Sequence, residues 1–295
     1  MSENLAILIT CHNRRNITLA CLEFLYQQNA NFDVYLVDDG SSDGTSEAVS
    51  HSYPKVNIIQ GNGDLFWAGG MRLAFSHALK QGYDYYVWLN DDTLLEPNGL
   101  SHLLSTHQDL AKHGYPDSII VGSVKDPITG KHTYGGRIRS KRMFSHTFNP
   151  VEPGNEPKEC DTMQGNIVLI PHSVVEKVGN IDSIFIHTMA DIDYGLRARK
   201  LGCKIWIASG YVGLCSRNSV RGSWVDTNLP IRERLHRAFQ VKAFPPKIWA
   251  AFLKRHSGQF WFIYWFFPYI RAIIGYKDLD KYSSFRNDIK KDTVI

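Results

Sequence analysis

Two apolar segments of this chain, residues 35–37 and 87–89, each end abruptly in acidic side chains. The residues that follow are Asp38 and Asp39 after the first segment and Asn90, Asp91 and Asp92 after the second. Oxygen ligands of this kind suit hard divalent cations such as Mg²⁺ or Mn²⁺. If both segments are strands of one open sheet, their acids meet along the edge where such sheets bind ligands. The pattern therefore indicates a site for a nucleoside diphosphate compound and a cation.

The elements that must position these acids alternate between strand and helix over the first ninety residues. We predict strands at 5–10, 33–37, 56–60 and 85–89, and helices at 17–28, 45–50 and 71–81. This β-α-β-α-β-α-β series implies a mostly parallel, doubly wound α/β sheet. Short β-type runs follow between 119 and 171, and a helix at 191–201 precedes a strand at 204–208.

Composition and charge narrow the class of protein. A hydrophobic content of 43% and a charged content of 21% over 295 residues are typical of a globular chain. A net charge of +4 gives no reason to expect nucleic acid as a partner. The five cysteines include no CxxC pair, which argues against a zinc site and a disulfide framework. Free thiols and an N-terminus without a signal-type segment lead us to expect a cytoplasmic protein.

The chain changes in character after about residue 226. Residues 260–267 are entirely aromatic or aliphatic, but Pro268 and Arg271 interrupt the apolar segment. It is shorter than the roughly 20 residues that a spanning helix needs. Aromatic side chains near lysines and arginines are typical of helices that lie on a membrane surface. Burial against the sheet or in a homodimer interface is the alternative. We divide the chain into residues 1–225 and a C-terminal helical region, 226–295.

Five motifs occur in an order that resembles the family 2 inverting glycosyltransferases of GT-A fold. The similarity is greatest to the rhamnosyltransferase-like branch, which assembles bacterial surface polysaccharides. The motifs are TCHNR at 10–14, VDDGSSDGT at 37–45, GNGDLFWAGGM at 61–71, NDD at 90–92 and MADIDYGLRAR at 189–199. The resemblance covers about residues 5–215 and implies a GT-A domain followed by a helical, aromatic-rich extension. Ala190 departs from the family pattern, because an acid usually stands there.

The resemblance assigns roles to individual residues. Asp92 corresponds to the metal-binding acid of the DxD position, where Mg²⁺ or Mn²⁺ would stabilise the departing nucleoside diphosphate. Asp191 corresponds to the general base that deprotonates the acceptor hydroxyl, although an aspartate at a helix start is often only an N-cap. Asp193 is four residues before Arg197, so we expect a helical ion pair there. The predicted contacts to the nucleotide sugar are Thr10, Asn13, Arg14, Asp39, Gly63, Asp64, Trp67, Gly70, Arg72, Asn90 and Asp91.

Several of these contacts also have a chemical reason. A strand-end acid such as Asp39 can accept a hydrogen bond from a nucleobase imide or a ribose hydroxyl, although Asp-Gly-Ser is also common turn chemistry. Glycines near Trp67 would let the backbone approach a sugar or phosphate closely. Trp67 itself offers a stacking surface, and the Arg72 guanidinium suits diphosphate geometry. The structural alternatives are a core role for Trp67 and a solvated position for Arg72.

The resemblance also implies partners. The donor would be a dTDP- or UDP-sugar, with rhamnose first. The acceptor would be a lipid-linked saccharide at the inner face of the cytoplasmic membrane, in O-antigen, capsule or cell-wall synthesis. Residues 211–218 lack the metal-binding histidine of many GT-A enzymes, and Arg217 or Arg221 is an alternative source of positive charge. Two other functions stay open: a catalytically silent saccharide-binding or scaffolding module, and a sugar nucleotidyltransferase, which the lack of glycine at 11–16 disfavours.

Overall fold

A computed structural model describes residues 3–140 and 147–275 of the chain. Contacts divide the chain into two compact units, Met1–Ser216 and Arg217–Ile295. From the change in composition we expected the division after residue 225. The compact first unit already ends just after a short strand at Gly213–Leu214, because that strand is the last to pair within this unit.

The first unit is an α/β structure. Its strands are β1 (Asn4–Cys11), β2 (Asn31–Asp38), β3 (Asn57–Gln60), β4 (Tyr85–Leu89), β5 (Leu94–Leu95), β6 (Ser118–Val121), β7 (Val124–Lys125), β8 (His132–Tyr134), β9 (Gly136–Arg139), β10 (Phe148–Pro150), β11 (Lys158–Glu159), β12 (Thr162–Met163), β13 (Ile167–Pro171), β14 (Lys204–Ile207) and β15 (Gly213–Leu214). Its helices are α1 (Arg15–Tyr26), α2 (Thr45–Ser52), α3 (Phe66–Ala78), α4 (Gly99–Lys112), α5 (His172–Val178) and α6 (Ala190–Lys200).

The predicted α/β sheet is confirmed. Its strand order is β11-β14-β6-β13-β4-β1-β2-β3. The strands of the predicted β-α-β-α-β-α-β series are parallel throughout, whereas β13 runs antiparallel between β4 and β6. β13 follows short strands rather than a crossover helix, so its direction is not constrained to be parallel. The sheet is therefore mixed at its centre and parallel on the side that carries the acidic motifs.

The sheet is held by strands that are buried on both faces. All five residues of β4 are buried, and Trp88 and Tyr86 are among the largest fully buried side chains. A strand covered on both faces has a continuous apolar sequence, which is why β4 shows no alternation. In the parallel register Leu8 of β1 lies opposite Trp88, and Cys11 lies opposite Asp38 at the end of β2. The carboxyl ends of β1, β2 and β4 thus meet at one edge.

One helix begins earlier than predicted. We expected a start at residue 71, but α3 begins at Phe66 and so includes Trp67 and Gly70. The Phe66 N–H donates to Asp39 Oδ2 at 2.9 Å, so an acid from the end of β2 satisfies a free donor of the first turn. This contact between distant residues replaces the local N-cap that the sequence lacks.

The second unit is helical. It contains α7 (Ile231–Ala238), α8 (Pro246–His256), α9 (Trp261–Trp265) and α10 (Phe267–Ile274). One hydrophobic cluster is formed by Ala238, Tyr269 and Ala272, with partly buried aromatic and aliphatic neighbours. Four residues of α8 are buried as well: Ile248, Trp249, Phe252 and Leu253. Across the described ranges, no helix combines the length and the apolar content that crossing a bilayer requires.

Candidate active site

The acid pair after β4 is bridged by Arg14, which lies between β1 and α1. Arg14 Nη1 donates to Asp91 Oδ1 at 2.9 Å, and Nη2 donates to Asp92 Oδ2 at 2.9 Å. A planar guanidinium can bind two carboxylates in this forked way, and such charge-assisted bonds are among the strong ones. Arg14 was predicted to contact the nucleotide sugar, but in this structure its fork lies on the acids.

Asp91 and Asp92 have different environments. Asp91 is only 5% exposed, and burial raises its pKa to about 7, with Arg14 opposing the rise and Asp92 adding to it. The Thr18 hydroxyl also lowers this pKa, yet Asp91 Oδ2 has no hydrogen bond of normal geometry within the described residues. Asp92 is partly exposed, and the Cys215 thiol donates to its Oδ1 at 3.6 Å. Asp92 is thus the acid of the pair that solvent reaches.

The two acids after β2 organise the neighbouring loops. Asp38 accepts hydrogen bonds from the Ser41 backbone N–H at 2.9 Å and from the Ser46 hydroxyl, so it closes its own turn. The carboxylate of Asp39 instead binds the loop before α3. Its Oδ1 accepts a hydrogen bond from the Gly63 N–H and its Oδ2 accepts one from the Phe66 N–H, each at 2.9 Å. Asp39, expected to contact a nucleobase or ribose, therefore also shapes the loop before α3.

A chain of contacts joins the end of β4 to α6. Trp67 Nε1 donates to Asn90 Oδ1 at 2.7 Å. A Cβ on Gly165 would lie 2.4 Å from the Trp67 ring, so the indole packs directly on this glycine. The Gly165 N–H in turn donates to Asp191 Oδ2 at 3.1 Å. The structure thus brings Asn90, Trp67 and Asp191 together, and Trp67 is in contact with both the acid edge and the glycine under Asp191.

Asp191 lies in the first turn of α6 in a mostly desolvated setting. Burial raises its pKa, although the N–H groups of Ile192 and Gly165 hydrogen-bond to the carboxylate and oppose the rise. Met189, the N-cap residue before α6, has a left-handed backbone with φ 69°, which is uncommon for a residue with a side chain. The predicted ion pair of Asp193 and Arg197 is present at 2.9 Å and is buried on the Asp193 side. Of the two aspartates of α6, Asp193 is engaged in this ion pair, and Asp191 is therefore the one that stays a candidate base.

The other predicted contacts fall into two groups. Asn13 has a φ of 51° and binds the turn after β2, since its Oδ1 accepts from the Ser42 N–H at 2.7 Å. Asp64 is exposed, and Gly63 has a φ of 92°. These residues lie in the loops after β1 and β3, where a nucleotide could reach them.

The second group lies in or under α3. A Cβ on Gly70 would come within 2.1 Å of Thr10 Oγ1, so these two residues form a close helix–strand contact and Thr10 is almost fully covered. Arg72 is half-buried, and its Nη1 has no hydrogen-bond partner in the described part of the chain. An unpartnered buried guanidinium nitrogen is costly unless an anion binds it.

Three residues of this region escaped the sequence analysis: Gly165, Asn166 and Cys215. The Asn166 carbonyl accepts from the Asn90 N–H at 2.9 Å, and its amide nitrogen donates to Cys215 Sγ at 3.5 Å. Burial, and then the charge of Asp92, raises the pKa of Cys215 to about 12, so it is a neutral thiol. No spacing rule identifies such residues, because their contacts arise from strands far apart in sequence.

The divalent cation that the resemblance implies needs side chains that can act as metal ligands. Within residues 3–140 and 147–275, no group of three or more His, Cys, Asp and Glu side chains has a geometry that could hold a metal ion. Mg²⁺ commonly takes only one or two carboxylates and keeps several waters. The solvent-reachable Asp92 and the unpartnered Asp91 Oδ2 fit an ion bound in that way.

Sequence comparison with curated proteins finds a distant relative. An N-acetylglucosaminyl-diphospho-decaprenol L-rhamnosyltransferase from Mycobacterium tuberculosis is 22% identical over 190 residues, covering 57% of this chain and 61% of that protein. The chain thus matches less than two thirds of this relative's length.

Two solved structures resemble the fold. The mannosyltransferase PcManGT from Pyrobaculum calidifontis, in complex with GDP-Man and Mn²⁺, has a TM-score of 0.54 at 14% identity and covers 96% of this chain and 84% of its own. Residues 1–349 of S. aureus TarS in complex with UDP give a TM-score of 0.53 at 14% identity, covering 92% of this chain and 81% of that one. The expected GT-A fold is confirmed by this likeness.

The family follows from the sequence model that matches the chain. The model for glycosyl transferase family 2 aligns with residues 6–179, more than half of the chain, and this range contains the β1, β2, α3 and β4 motifs. The acid edge, the Arg14 fork and the loop before α3 all lie inside it. The chain belongs to glycosyl transferase family 2.

Proposed function

We propose that this chain is an inverting glycosyltransferase that moves a sugar, rhamnose first, from a dTDP- or UDP-sugar to a saccharide acceptor. The observation that supports this most is the contact chain from Asn90 through Trp67 and Gly165 to Asp191. It joins an acid edge suited to a divalent cation, which would in turn bind a diphosphate, to a desolvated carboxylate suited to a hydroxyl. A displacement at a sugar carbon needs both groups, on opposite sides of the reacting bond.

In the proposed reaction Asp191 is the general base. Its carboxylate takes the proton of the acceptor hydroxyl while that oxygen bonds to the anomeric carbon and the bond to the nucleoside diphosphate breaks. A raised pKa makes an aspartate a better proton acceptor near neutral pH. Asp92, with Asp91 beside it, would hold Mg²⁺ or Mn²⁺, which supplies Lewis-acid stabilisation of the leaving diphosphate.

The remaining predicted residues are proposed donor contacts. Arg72 would bind the diphosphate through the nitrogen that has no partner in the described structure. Nucleoside contacts are proposed for Asn13, Gly63, Asp64 and Asp39. Asp39 would at the same time hold the loop before α3 in place. The full proposed set is Thr10, Asn13, Arg14, Asp39, Gly63, Asp64, Trp67, Gly70, Arg72, Asn90 and Asp91.

The proposed acceptor is a lipid-linked saccharide at the inner face of the cytoplasmic membrane. The product would enter O-antigen, capsule or cell-wall polysaccharide. Support comes from the related M. tuberculosis protein, whose name specifies an N-acetylglucosaminyl-diphospho-decaprenol acceptor. At 22% identity this relation is a guide to the acceptor class.

A thermal-shift panel tests the donor. The chain is heated with dTDP-rhamnose, UDP-sugars and GDP-mannose, each with and without Mn²⁺, since a ligand that binds the folded state raises the melting temperature. We expect dTDP- or UDP-sugars to stabilise the chain, and more so with Mn²⁺. Stabilisation by the GDP-sugar alone would refute the proposed donor.

The Arg14 fork favours one other function. Because Arg14 already forms an ion pair with both Asp91 and Asp92, a module that binds saccharide without transferring it would need no cation. Release of nucleoside diphosphate separates the two cases. A transferase should release it slowly from the correct donor with Mn²⁺ even without acceptor, whereas a binding module would release none from any sugar nucleotide.

A further inference from the structure

The second unit carries a continuous apolar face along α9 and α10. Most of its members lie three or four residues from another member, a spacing that favours one side of a helix. They are Phe260, Phe262, Ile263, Phe266, Phe267, Ile270, Ile273 and Ile274, with exposures from 42% to 77%. We call these residues the apolar face. A contiguous exposed patch of this kind marks an interaction site.

The opposite side of α10 is already packed inside the unit. The Tyr269 hydroxyl donates to the Phe244 carbonyl at 2.7 Å, and its ring stacks on Phe239 with centroids 4.7 Å apart. Ala272 is fully buried on the same side. α10 is therefore fixed by its own core, and the apolar face is what this packing leaves outside.

The unit that carries this face is strongly basic. Residues 217–275 contain ten Lys and Arg against two Asp and Glu, a formal charge of +8, while the whole chain has only +4. Lys254 is exposed, and its Nζ lies 4.8 Å from the ring centroid of Trp261 at the start of α9. Arg271 is exposed between Ile270 and Ile273. Cations thus border the apolar face at both ends.

We propose that the apolar face enters the interface of an anionic lipid bilayer, with Lys254 and Arg271 at the level of the headgroups. Phenylalanine and isoleucine side chains reach the boundary of the acyl chains, tryptophan prefers the interface, and each nearby cation is attracted to anionic lipid. A second copy of the chain is a poorer occupant, because it would bring two copies of residues 217–275, each with a formal charge of +8, together. The biological role of this contact rests on the lipid-linked acceptor proposed above.

Sedimentation with vesicles tests the proposal on the full chain. Vesicles of phosphatidylcholine alone are compared with mixtures of phosphatidylcholine and phosphatidylglycerol, at low and high NaCl. We expect binding to the anionic vesicles that is roughly tenfold or more stronger than to the neutral ones and that weakens with salt. Equal binding to both vesicle types, or binding to neither, overturns the proposal.

Matched variants identify the surface. Phe266→Gln with Ile270→Gln changes two exposed side chains and should weaken vesicle binding roughly tenfold or more. The control, Ile128→Gln with Leu201→Gln, changes two exposed apolar residues of the first unit and should bind like the unchanged chain. Unaltered vesicle binding by the first variant overturns the proposal.

A second pair tests the cations. Lys254→Gln with Arg271→Gln should weaken binding to anionic vesicles roughly 25-fold, from a factor of about five for each charge. Lys55→Gln with Lys80→Gln, two exposed lysines of the first unit, is the control. Equal loss in both pairs would overturn the assignment to this face.

Two readouts separate this inference from the transferase proposal. The same protein samples are tested for stabilisation by nucleotide sugars in solution. A chain that binds its donor but no vesicle contradicts only the membrane surface, and a chain that binds vesicles but no donor contradicts only the transferase. A concentration-dependent dimer that Phe266→Gln with Ile270→Gln abolishes, without vesicle binding, would assign the face to a second copy and overturn the proposal.

Discussion

At the scale of single residues, Asp91 shows burial and a fixed positive charge in competition. It is only 5% exposed, and burial raises its pKa to about 7 even though Arg14 lies 2.9 Å away. In an unfolded chain an aspartate has a pKa of about 3.9. Between these values the folded protein binds more protons than the unfolded one. Asp91 therefore makes folding less favourable as the pH rises through this window.

Replacing Asp91 by Asn should remove this pH dependence. We expect the unfolding free energy of Asp91→Asn, relative to the unchanged chain, to rise between pH 4 and pH 8 by up to roughly 4 kcal/mol. Urea unfolding in the presence of a chelator measures it. Asp109→Asn, at an exposed ion pair with Lys112, is the control and should follow the unchanged chain. Parallel curves for Asp91→Asn would contradict the pKa assigned to Asp91.

Arg14 should compete with a divalent cation for the acid pair. In Arg14→Met no guanidinium occupies Asp92, so we expect Mn²⁺ to bind roughly tenfold more tightly in the absence of nucleotide. Electron paramagnetic resonance of free Mn²⁺ measures the affinity. Arg15→Met, the neighbouring arginine, is the matched control. Unchanged Mn²⁺ affinity in Arg14→Met would show that the fork does not block the cation.

Asp191 should be needed for transfer but not for donor binding. Asp191→Asn keeps the size of the side chain and an acceptor for the Gly165 N–H, while it removes the base. We expect the transfer rate to fall by roughly 10²–10⁴, with the donor affinity from calorimetry unchanged. Retained turnover would refute the assignment.

The raised pKa of Asp191 also has a pH consequence. The base must be unprotonated, so the rate should fall with decreasing pH before the ordinary range of an aspartate is reached. A pH–rate profile of the unchanged chain measures this fall.

At the scale of elements, the close contact of α3 with β1 determines where Trp67 and Arg72 lie. Gly70 lets the helix approach Thr10, since a Cβ there would be 2.1 Å from Thr10 Oγ1 and 2.8 Å from Thr10 Cβ. The start of the helix is held by Asp39 through the Phe66 N–H. Small residues and one acid thus fix the position of α3, which carries the predicted donor contacts Trp67 and Arg72.

Gly70→Ala should separate this helix from the strand. We expect a loss of roughly 1–3 kcal/mol in unfolding free energy, because an added methyl group in a packed contact forces the backbone to shift. Chemical denaturation measures it. Gly69→Ala, on the same helix, would have Leu65 Cβ as its nearest neighbour at 3.2 Å and should cost less. Equal effects of the two changes would argue against the Thr10 contact.

At the scale of the whole molecule, the two units have cores of very different size. The first contains a sheet of eight strands with many fully buried side chains, whereas the described part of the second buries a much smaller apolar set: Ala238, Ala243, Ile248, Trp249, Phe252, Leu253, Tyr269 and Ala272. Local stability follows the amount of buried apolar contact. The described helices of the second unit should therefore open more readily than the central strands.

Hydrogen exchange measured by mass spectrometry tests this difference. We expect amides of α7 and α10 to exchange well before those of β1 and β4 in the chain without lipid. Anionic vesicles should slow exchange in α10 and leave β4 unchanged. Equal protection of α10 and β4 without lipid would contradict the difference in core size.

The sequence by itself determined the α/β class, the order of the first strands and helices, and the family. β4 was predicted at its observed bounds, and the first unit shows the predicted parallel strands. These features depend on apolar periodicity and turn chemistry, which are local properties of the chain. The acids at strand ends were identified for the same reason, and their catalytic and binding roles stay predictions.

Only the tertiary structure decided which residues of the site contact one another. The early start of α3, the Arg14 fork on Asp91 and Asp92, and the approach of Cys215 to Asp92 join residues from distant parts of the chain. The direction of β13 and the exposure of the apolar face are also set by packing. The sequence shows the same aspartate whether its carboxylate binds a metal, an arginine or a backbone N–H. Its partner is chosen by which groups folding brings within about 3 Å, and local sequence does not encode that distance.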